Sequence, residues 1–183
     1  EGADVAIVHM PEEQADADDT LELIRAEGRT AVSIAGDVRD EQFATDLVAE
    51  ARTALGGLDI VVLNAAYQHD IESFDTLSTE KLRRVFDTNL LGLIFSARAA
   101  YPLLEPGASI IVTASVQAFE PSPGLLDLAM PQAPQVAFLK ALAQSAGPRG
   151  LPVYAAAPGP FSTPRLPAPG PAPARASNSV PPG

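Results

Sequence analysis

Several residue types that carry chemistry are rare or missing in this chain of 183 residues. It contains no cysteine, which excludes disulfides, thiolate catalysis and cysteine-ligated metal sites. Its two histidines, His9 and His69, have no companions at ligand spacing, so we expect no metal site. No apolar run reaches the length of about 18 residues that a transmembrane helix needs. We therefore expect a protein of the cytoplasm that has no membrane partner.

Positive charge is also scarce. The chain has 12 lysines and arginines against 23 aspartates and glutamates, which gives a formal net charge of −11 and a pI near 4.4. An acidic surface repels the phosphate backbone of nucleic acids, so no nucleic-acid partner is expected. We interpret the acidity as a solvated face that aids solubility, in preference to an acidic interaction surface.

Short apolar segments alternate with longer amphipathic ones along most of the chain. They predict strands at 4–10, 30–35, 58–63, 109–113 and 152–157, and helices at 12–27, 41–55, 78–104 and 125–146. Asp40 and Ser78 stand where helix N-caps are expected. This alternation indicates an α/β fold with a doubly wound parallel sheet, which is Rossmann-like. Nearly continuous apolar strands also predict that the sheet is buried on both faces.

The carboxyl-terminal end of the chain has a different composition. Half of its 18 prolines fall from Pro158 onward, and no helical or strand periodicity survives there. We predict one domain over residues 1–163 and a Pro-rich, disordered tail over 164–183. The PxxP pattern at 164–167 is interpreted as unselected Pro-rich sequence, because such matches are common in a tail of this composition.

The segment 107–142 predicts where chemistry takes place. A β-branched strand ends just before Ser115, which should place its hydroxyl at the carboxyl end of the sheet, where open α/β folds form active sites. Pro-Ser-Pro-Gly-Leu-Leu-Asp (121–127) and Ala129-Met130 follow. This arrangement resembles the short-chain dehydrogenase/reductase family, in which a serine ends the fifth strand and Tyr-x-x-x-Lys opens the next helix.

Other motifs of that family occur in the same order over residues 1–163. The segment 11–28 is similar to the glucose/ribitol-dehydrogenase-like branch. The resemblance implies Ser115 and Asn89 as catalytic residues, Asn89 holding a water of the proton relay. For the cofactor, NAD or NADP, it implies a binding set of Asp37, Val38, Asn64, Ala65, Ala66, Pro158, Gly159 and Thr163. Two positions keep a structural alternative, since Asp37 can cap a turn and Ser115 can be a turn hydroxyl.

The resemblance also implies a substrate, a partner and a missing segment. The family transfers hydride between NAD(P) and a small-molecule alcohol or carbonyl, and helices 78–104 and 125–146 would form homo-oligomer interfaces. The family's first strand and its Gly-rich turn have no counterpart within residues 1–183, so we expect an amino-terminally truncated chain. In the order 3-2-1-4-5-6 that strand is central, and without it a gap of about 10 Å, or two strand spacings, is expected.

The catalytic Tyr-x-x-x-Lys motif is degenerate. Leu128 stands at the tyrosine position and Gln132 at the lysine position, so neither a phenolic proton nor a lysine charge is available. General acid–base groups contribute about 10²–10⁴ in rate, so we expect an impaired or inactive enzyme. Lys140 is too far along the helix to replace the lysine, and the direction of Tyr67 is open. The alternatives are a non-catalytic binding protein, or pseudoenzyme, and a fragment without function.

Overall fold

The computed structural model describes residues 2–68, 73–122 and 125–158. In chain order, the strands are β1 (Val5–His9), β2 (Ala31–Ala35), β3 (Ile60–Leu63), β4 (Ser109–Thr113) and β5 (Val153–Ala156). The α-helices are α1 (Gln14–Ala26), α2 (Glu41–Leu55), α3 (Thr79–Phe86), α4 (Leu93–Ala100) and α5 (Leu126–Ala146). A π-helix, Asp87–Gly92, joins α3 to α4. Short 3-10 turns lie at Pro11–Glu13, Phe74–Thr76, Tyr101–Leu103, Val116–Ala118 and Gly147–Arg149.

The strands form two parallel sheets. β1 pairs with β2, and β3, β4 and β5 pair in that order, so the predicted α/β fold with parallel strands is confirmed. Within the described ranges β1 has no second neighbour, and β3 has none other than β4. The sheet therefore does not close between β1 and β3, and each of these strands keeps an unpaired edge.

Each sheet has its own apolar core. The larger core lies between the three-stranded sheet and helices α4 and α5, and includes Ile110, Val112 and Leu139. The smaller core lies beneath α2, around Ile34 and Leu47. Helix α2 also packs against α4, which connects the two halves of the molecule. The helices therefore hold the two sheets together where strand pairing does not.

One face of the three-stranded sheet is open. Side chains alternate between the faces of a strand, so Val61 and Leu63 point into the core while Ile60 and Val62 point away. Ile60 and Val62 are 55% and 56% exposed, and Tyr154 on β5 is 56% exposed. The expectation of burial on both faces is therefore wrong for this sheet in the described structure, where helices cover one face only.

Local signals explain most of the helix boundaries. The Asp40 carboxylate accepts hydrogen bonds from the amides of Gln42 and Phe43 at 2.8 and 3.1 Å, and the Ser78 hydroxyl accepts one from Lys81 at 3.2 Å. Both predicted caps are confirmed. The predicted helix 78–104 is instead divided into α3, the π-helix, α4 and a 3-10 turn. Over the described residues, no helix is long and apolar enough to cross a membrane.

Candidate functional site

The carboxyl ends of β4 and β5 meet beside Ser115. The amide of Val116 donates to the carbonyl of Pro158 at 3.4 Å, and the amide of Ala114 donates to the carbonyl of Ala156 at 2.7 Å. The half-buried Ser115 hydroxyl oxygen accepts a hydrogen bond from the amide of Gln117 at 3.2 Å. Ser115 therefore caps a 3-10 turn, and its hydroxyl hydrogen is available for a second hydrogen bond.

The loop that follows this turn is held by one glutamine. The side-chain oxygen of Gln117 accepts hydrogen bonds from the amide of Ser122 at 2.7 Å and from its hydroxyl at 3.2 Å. The backbone of the same glutamine contacts Ser115. Gln117 thus connects Ser115, where the turn begins, to Ser122, at the end of the described part of this loop.

Asn89 is completely buried in the π-helix. Its side-chain oxygen accepts from the amide of Tyr67 at 2.6 Å, and its side-chain nitrogen donates to the carbonyl of Tyr67 at 2.9 Å. An asparagine inside a helix is unfavourable by propensity, and this double contact explains its presence there. Asn89 therefore fastens the loop after β3, in which Asn64, Ala65 and Ala66 are exposed.

The loop after β2 is charged and packs closely on the π-helix. The Asp37 carboxylate accepts hydrogen bonds from the Arg39 amide at 3.0 Å and from the Arg39 guanidinium. These contacts, with a smaller effect of Arg84, lower the pKa of Asp37, and Asp37 and Asp87 raise the pKa of Arg39. Asp37 therefore takes the turn role that the sequence left open, and it remains half-buried at this end of the sheet.

Gly92 lets the loop after β2 approach the π-helix. A Cβ at this position would lie 2.9 Å from Cγ2 of Val38 and 3.1 Å from the Val38 carbonyl oxygen. Distances this short are not compatible with a normal side-chain contact. The absence of a side chain at Gly92 thus brings the predicted cofactor residues Asp37 and Val38 to the helix that carries Asn89.

Helix α5 packs against the π-helix and the turn after Ser115, and it carries three buried polar side chains. Asp127 is 1% exposed, and Gln132 and Gln135 are each 3% exposed. The Gln135 side-chain amide donates to the main-chain carbonyl of Asn89. The side-chain oxygens of both glutamines are buried and lack a hydrogen-bond partner in the described structure. Leu128 is half-buried and offers no proton.

Tyr67, whose direction the sequence left open, contacts an arginine. The Arg84 guanidinium lies over the Tyr67 ring, with its Cζ atom 4.4 Å from the ring centre. The Tyr67 backbone is bound to Asn89 at the same time. Tyr67 is therefore oriented by α3 and the π-helix. Lys140, the other residue considered as a replacement, is exposed near the middle of α5.

The structure brings most of the predicted site residues to one end of the molecule. Asp37 and Val38 reach the π-helix, Asn64, Ala65 and Ala66 join it through Tyr67, and Ser115 and Pro158 meet through Val116. Gly159, Thr163, His69 and the tail 164–183 lie outside the described residues. In the part of the chain that is described, no three His, Asp or Glu side chains are placed to hold a metal.

The sequence did not reveal the roles of Gln135 and Arg84. Gln135 breaks the apolar pattern of α5, and its polarity was the only signal of a buried partner. Arg84 lies on the amphipathic helix α3, where an exposed arginine is ordinary. Neither contact could be assigned before the positions of Asn89 and Tyr67 were known.

Comparisons with known proteins decide the family. The family model described as enoyl-(acyl carrier protein) reductase matches residues 1–178. The chain belongs to the short-chain dehydrogenase/reductase family. It is 46% identical to the oxidoreductase YhxD of Bacillus subtilis over 164 residues, and 34% identical to glucose and ribitol dehydrogenase of Daucus carota over 172 residues. These alignments cover 90% and 91% of this chain, so the predicted family is confirmed.

The solved structures support the same assignment. A short-chain dehydrogenase from Burkholderia cenocepacia in complex with NADP superposes with a TM-score of 0.87 at 32% sequence identity. The match covers 92% of this chain and 69% of that one. The chain spans 55% of the length of YhxD and 59% of the length of the Daucus enzyme.

Proposed function

We propose that this chain is the site-bearing part of an NAD(P)-dependent oxidoreductase for small alcohols or carbonyls, and that turnover with its present residues is negligible. The observation that carries the proposal is that some catalytic positions of the family motifs keep their residue and others do not. Ser115 and Asn89 stand at the positions that the family motifs predict, while Leu128 and Gln132 replace the proton-transferring tyrosine and the lysine. The NADP complex of the Burkholderia relative supports the cofactor class.

The residues present at the carboxyl ends fit a dinucleotide in part. Ala65 and Ala66 are exposed and carry only methyl groups, which leaves room for a ribose beside Asn64. In this proposal Asp37 and Val38 contact the adenine, and Pro158, Gly159 and Thr163 line the nicotinamide side. When bound, the cofactor supplies or accepts the hydride.

In the intact reaction, Ser115 would hold the substrate oxygen through its hydroxyl hydrogen, which its contact with Gln117 leaves available. Asn89 would keep the loop after β3 in place through its two hydrogen bonds to Tyr67. A proton must also reach or leave the substrate oxygen. Leu128 cannot transfer it, which is why the rate should fall by about 10²–10⁴.

The test restores the two missing groups. Leu128→Tyr with Gln132→Lys should give NAD⁺ or NADP⁺ reduction by small alcohols at least about 100-fold above the parent chain. Leu128→Phe with Gln132→Met is the matched control, because it supplies similar bulk without a proton donor or a charge. Cofactor binding is followed separately by the shift in melting temperature. A ligand at 100 times its Kd adds about 2.7 kcal/mol to the free energy of unfolding, which raises the melting temperature measurably.

Two results would overturn the proposal. One is turnover by the parent chain at the level of the restored variant, above all if Asp127→Asn abolishes it, since that would make the buried carboxyl beside Leu128 the proton donor. The other is a restored variant that binds cofactor and remains as inactive as its control.

A non-catalytic binding role is the second candidate. It is favoured by the open apolar face, where Ile60, Val62 and Tyr154 are each more than half exposed. We also propose a homo-oligomer through the helical segments 78–104 and 125–146. A cooperative melt that no cofactor shifts, together with a stable oligomer in sedimentation, would favour this role over the enzyme.

A further inference from the structure

The π-helix changes which backbone groups are paired around Asn89. In an α-helix, the amide of Leu93 would donate to the carbonyl of Asn89, four residues earlier. Here the Leu93 amide donates to the carbonyl of Leu90, three residues earlier, where the π-helix passes into α4. Single π-helical turns inside α-helices are frequent at functional sites. The Asn89 carbonyl therefore does not receive the Leu93 amide that regular α-helical pairing would give it.

Gln135 supplies a donor to this carbonyl from a different helix. Its side-chain amide donates to the Asn89 carbonyl, and both residues are buried. The Asn89 side chain then binds the amide and the carbonyl of Tyr67. A continuous path of hydrogen bonds therefore runs from α5 through the π-helix to the loop after β3.

We propose that Gln135 is a positioning residue, which holds the π-helical turn open so that Asn89 can fasten the loop at 64–67. Without this donor, the buried carbonyl would lose its side-chain partner, and the turn would gain by returning to α-helical pairing with the Leu93 amide. Such a change would rotate Asn89 relative to Tyr67. The effect on cofactor affinity rests on the proposed function of that loop, whereas the effect on the loop itself does not.

Gln132 provides a matched control on the same helix. Gln132 and Gln135 are both 3% exposed, and the side-chain oxygen of each is buried without a partner. Only Gln135 makes the contact with Asn89. If Gln135 merely filled space in the core, replacing either glutamine by methionine, which has similar length, would have the same consequence.

The experiment measures hydrogen exchange of the Tyr67 amide, which donates to the Asn89 side chain. Protection of the Ile110 amide, in the central strand of the larger core, gives the reference for global opening. In Gln135→Met, we expect Tyr67 exchange to become about tenfold faster relative to Ile110, which corresponds to one lost buried hydrogen bond. In Gln132→Met, the ratio should stay within about twofold of the parent chain.

An unchanged Tyr67 ratio in a folded Gln135→Met protein would overturn the proposal, and so would an equal change in both variants. If Gln135→Met does not fold, Gln135→Asn takes its place, because it keeps the amide but is one methylene too short to reach Asn89. NADP⁺ affinity is measured in parallel and should weaken in Gln135→Met. A parent chain that binds no cofactor would contradict the proposed function, while the exchange data would still decide the role of Gln135.

Discussion

Replacing Gly92 by alanine tests how closely the loop after β2 must approach the π-helix. The new Cβ would lie 2.9 Å from Cγ2 of Val38 and 3.1 Å from the Val38 carbonyl oxygen. The first of these atoms belongs to a half-buried side chain that packs in the smaller core, and the second is backbone. Neither can move without displacing the loop that carries Asp37.

Two effects of opposite sign decide the size of the change. Alanine is favoured over glycine inside a helix by about 1 kcal/mol. Overpacking a close contact costs about 1–3 kcal/mol. We therefore expect Gly92→Ala to lower the free energy of unfolding by up to about 2 kcal/mol, as measured by urea denaturation. Val38→Ala removes Cγ2 and should restore part of this loss, with a coupling energy of about 0.5–2 kcal/mol.

Gly57→Ala is the control for this experiment. Nothing lies within 4 Å of a Cβ at Gly57, and its φ is not positive. A glycine of this kind gains about 0.4–1 kcal/mol on replacement by alanine, because the unfolded chain loses freedom. The two substitutions should thus have opposite signs. Stabilisation by Gly92→Ala, or additivity with Val38→Ala, would refute the inference of a close approach.

Three further predictions concern other parts of the molecule. Pro134→Ala, at an exposed position inside α5, should raise the free energy of unfolding in urea by about 1–3 kcal/mol, because proline destabilises a helix interior. A lower free energy of unfolding in this variant would contradict that destabilisation. Arg39 lowers the pKa of folded Asp37, so this ion pair stabilises the protein fully above the unfolded pKa near 4. The stabilisation is lost as the pH falls through the pKa of the folded state. In Arg39→Ala, the free energy of unfolding should therefore depend less steeply on pH in this acid range. Val62→Lys should reduce aggregation through the open sheet face in light scattering. This face is separate from the proposed oligomer helices, and the substitution should change stability by less than about 0.5 kcal/mol. The same change at the fully buried Val112 should prevent folding.

The regular elements could be predicted where the sequence marks both of their ends. The bounds of α2 are confirmed because Asp40 caps its first turn and Gly56, with φ of 75°, ends it. The bounds of β4 are confirmed because its apolar β-branched residues lie between Gly107 and Ser115. In both cases local chemistry is sufficient, and no distant contact is needed to define the element.

The interruption of the long central helix could not be predicted in this way. A π-helical turn has no strong local signature, and this one depends on a donor that lies 46 positions away in the chain, at Gln135. The same holds for the open sheet face. Apolar strands at Ile60–Leu63 and Val153–Ala156 suggest burial on both sides, but which side receives a helix is decided by the connections between the elements.

The two faces of helix α5 differ in the kind of residue they carry. The buried face carries three polar residues, Asp127, Gln132 and Gln135. Each unpartnered glutamine oxygen there costs about 1–3 kcal/mol. The exposed face carries Pro134, which lowers the stability of the helix. Gln135 donates to the Asn89 carbonyl from the same buried face, so this face also positions the loop at Tyr67. Adding Gln135→Met to Leu128→Tyr and Gln132→Lys should therefore lower turnover, because the loop at Tyr67 loosens. A triple variant as fast as the double would show that the contact between Gln135 and Asn89 does not limit activity.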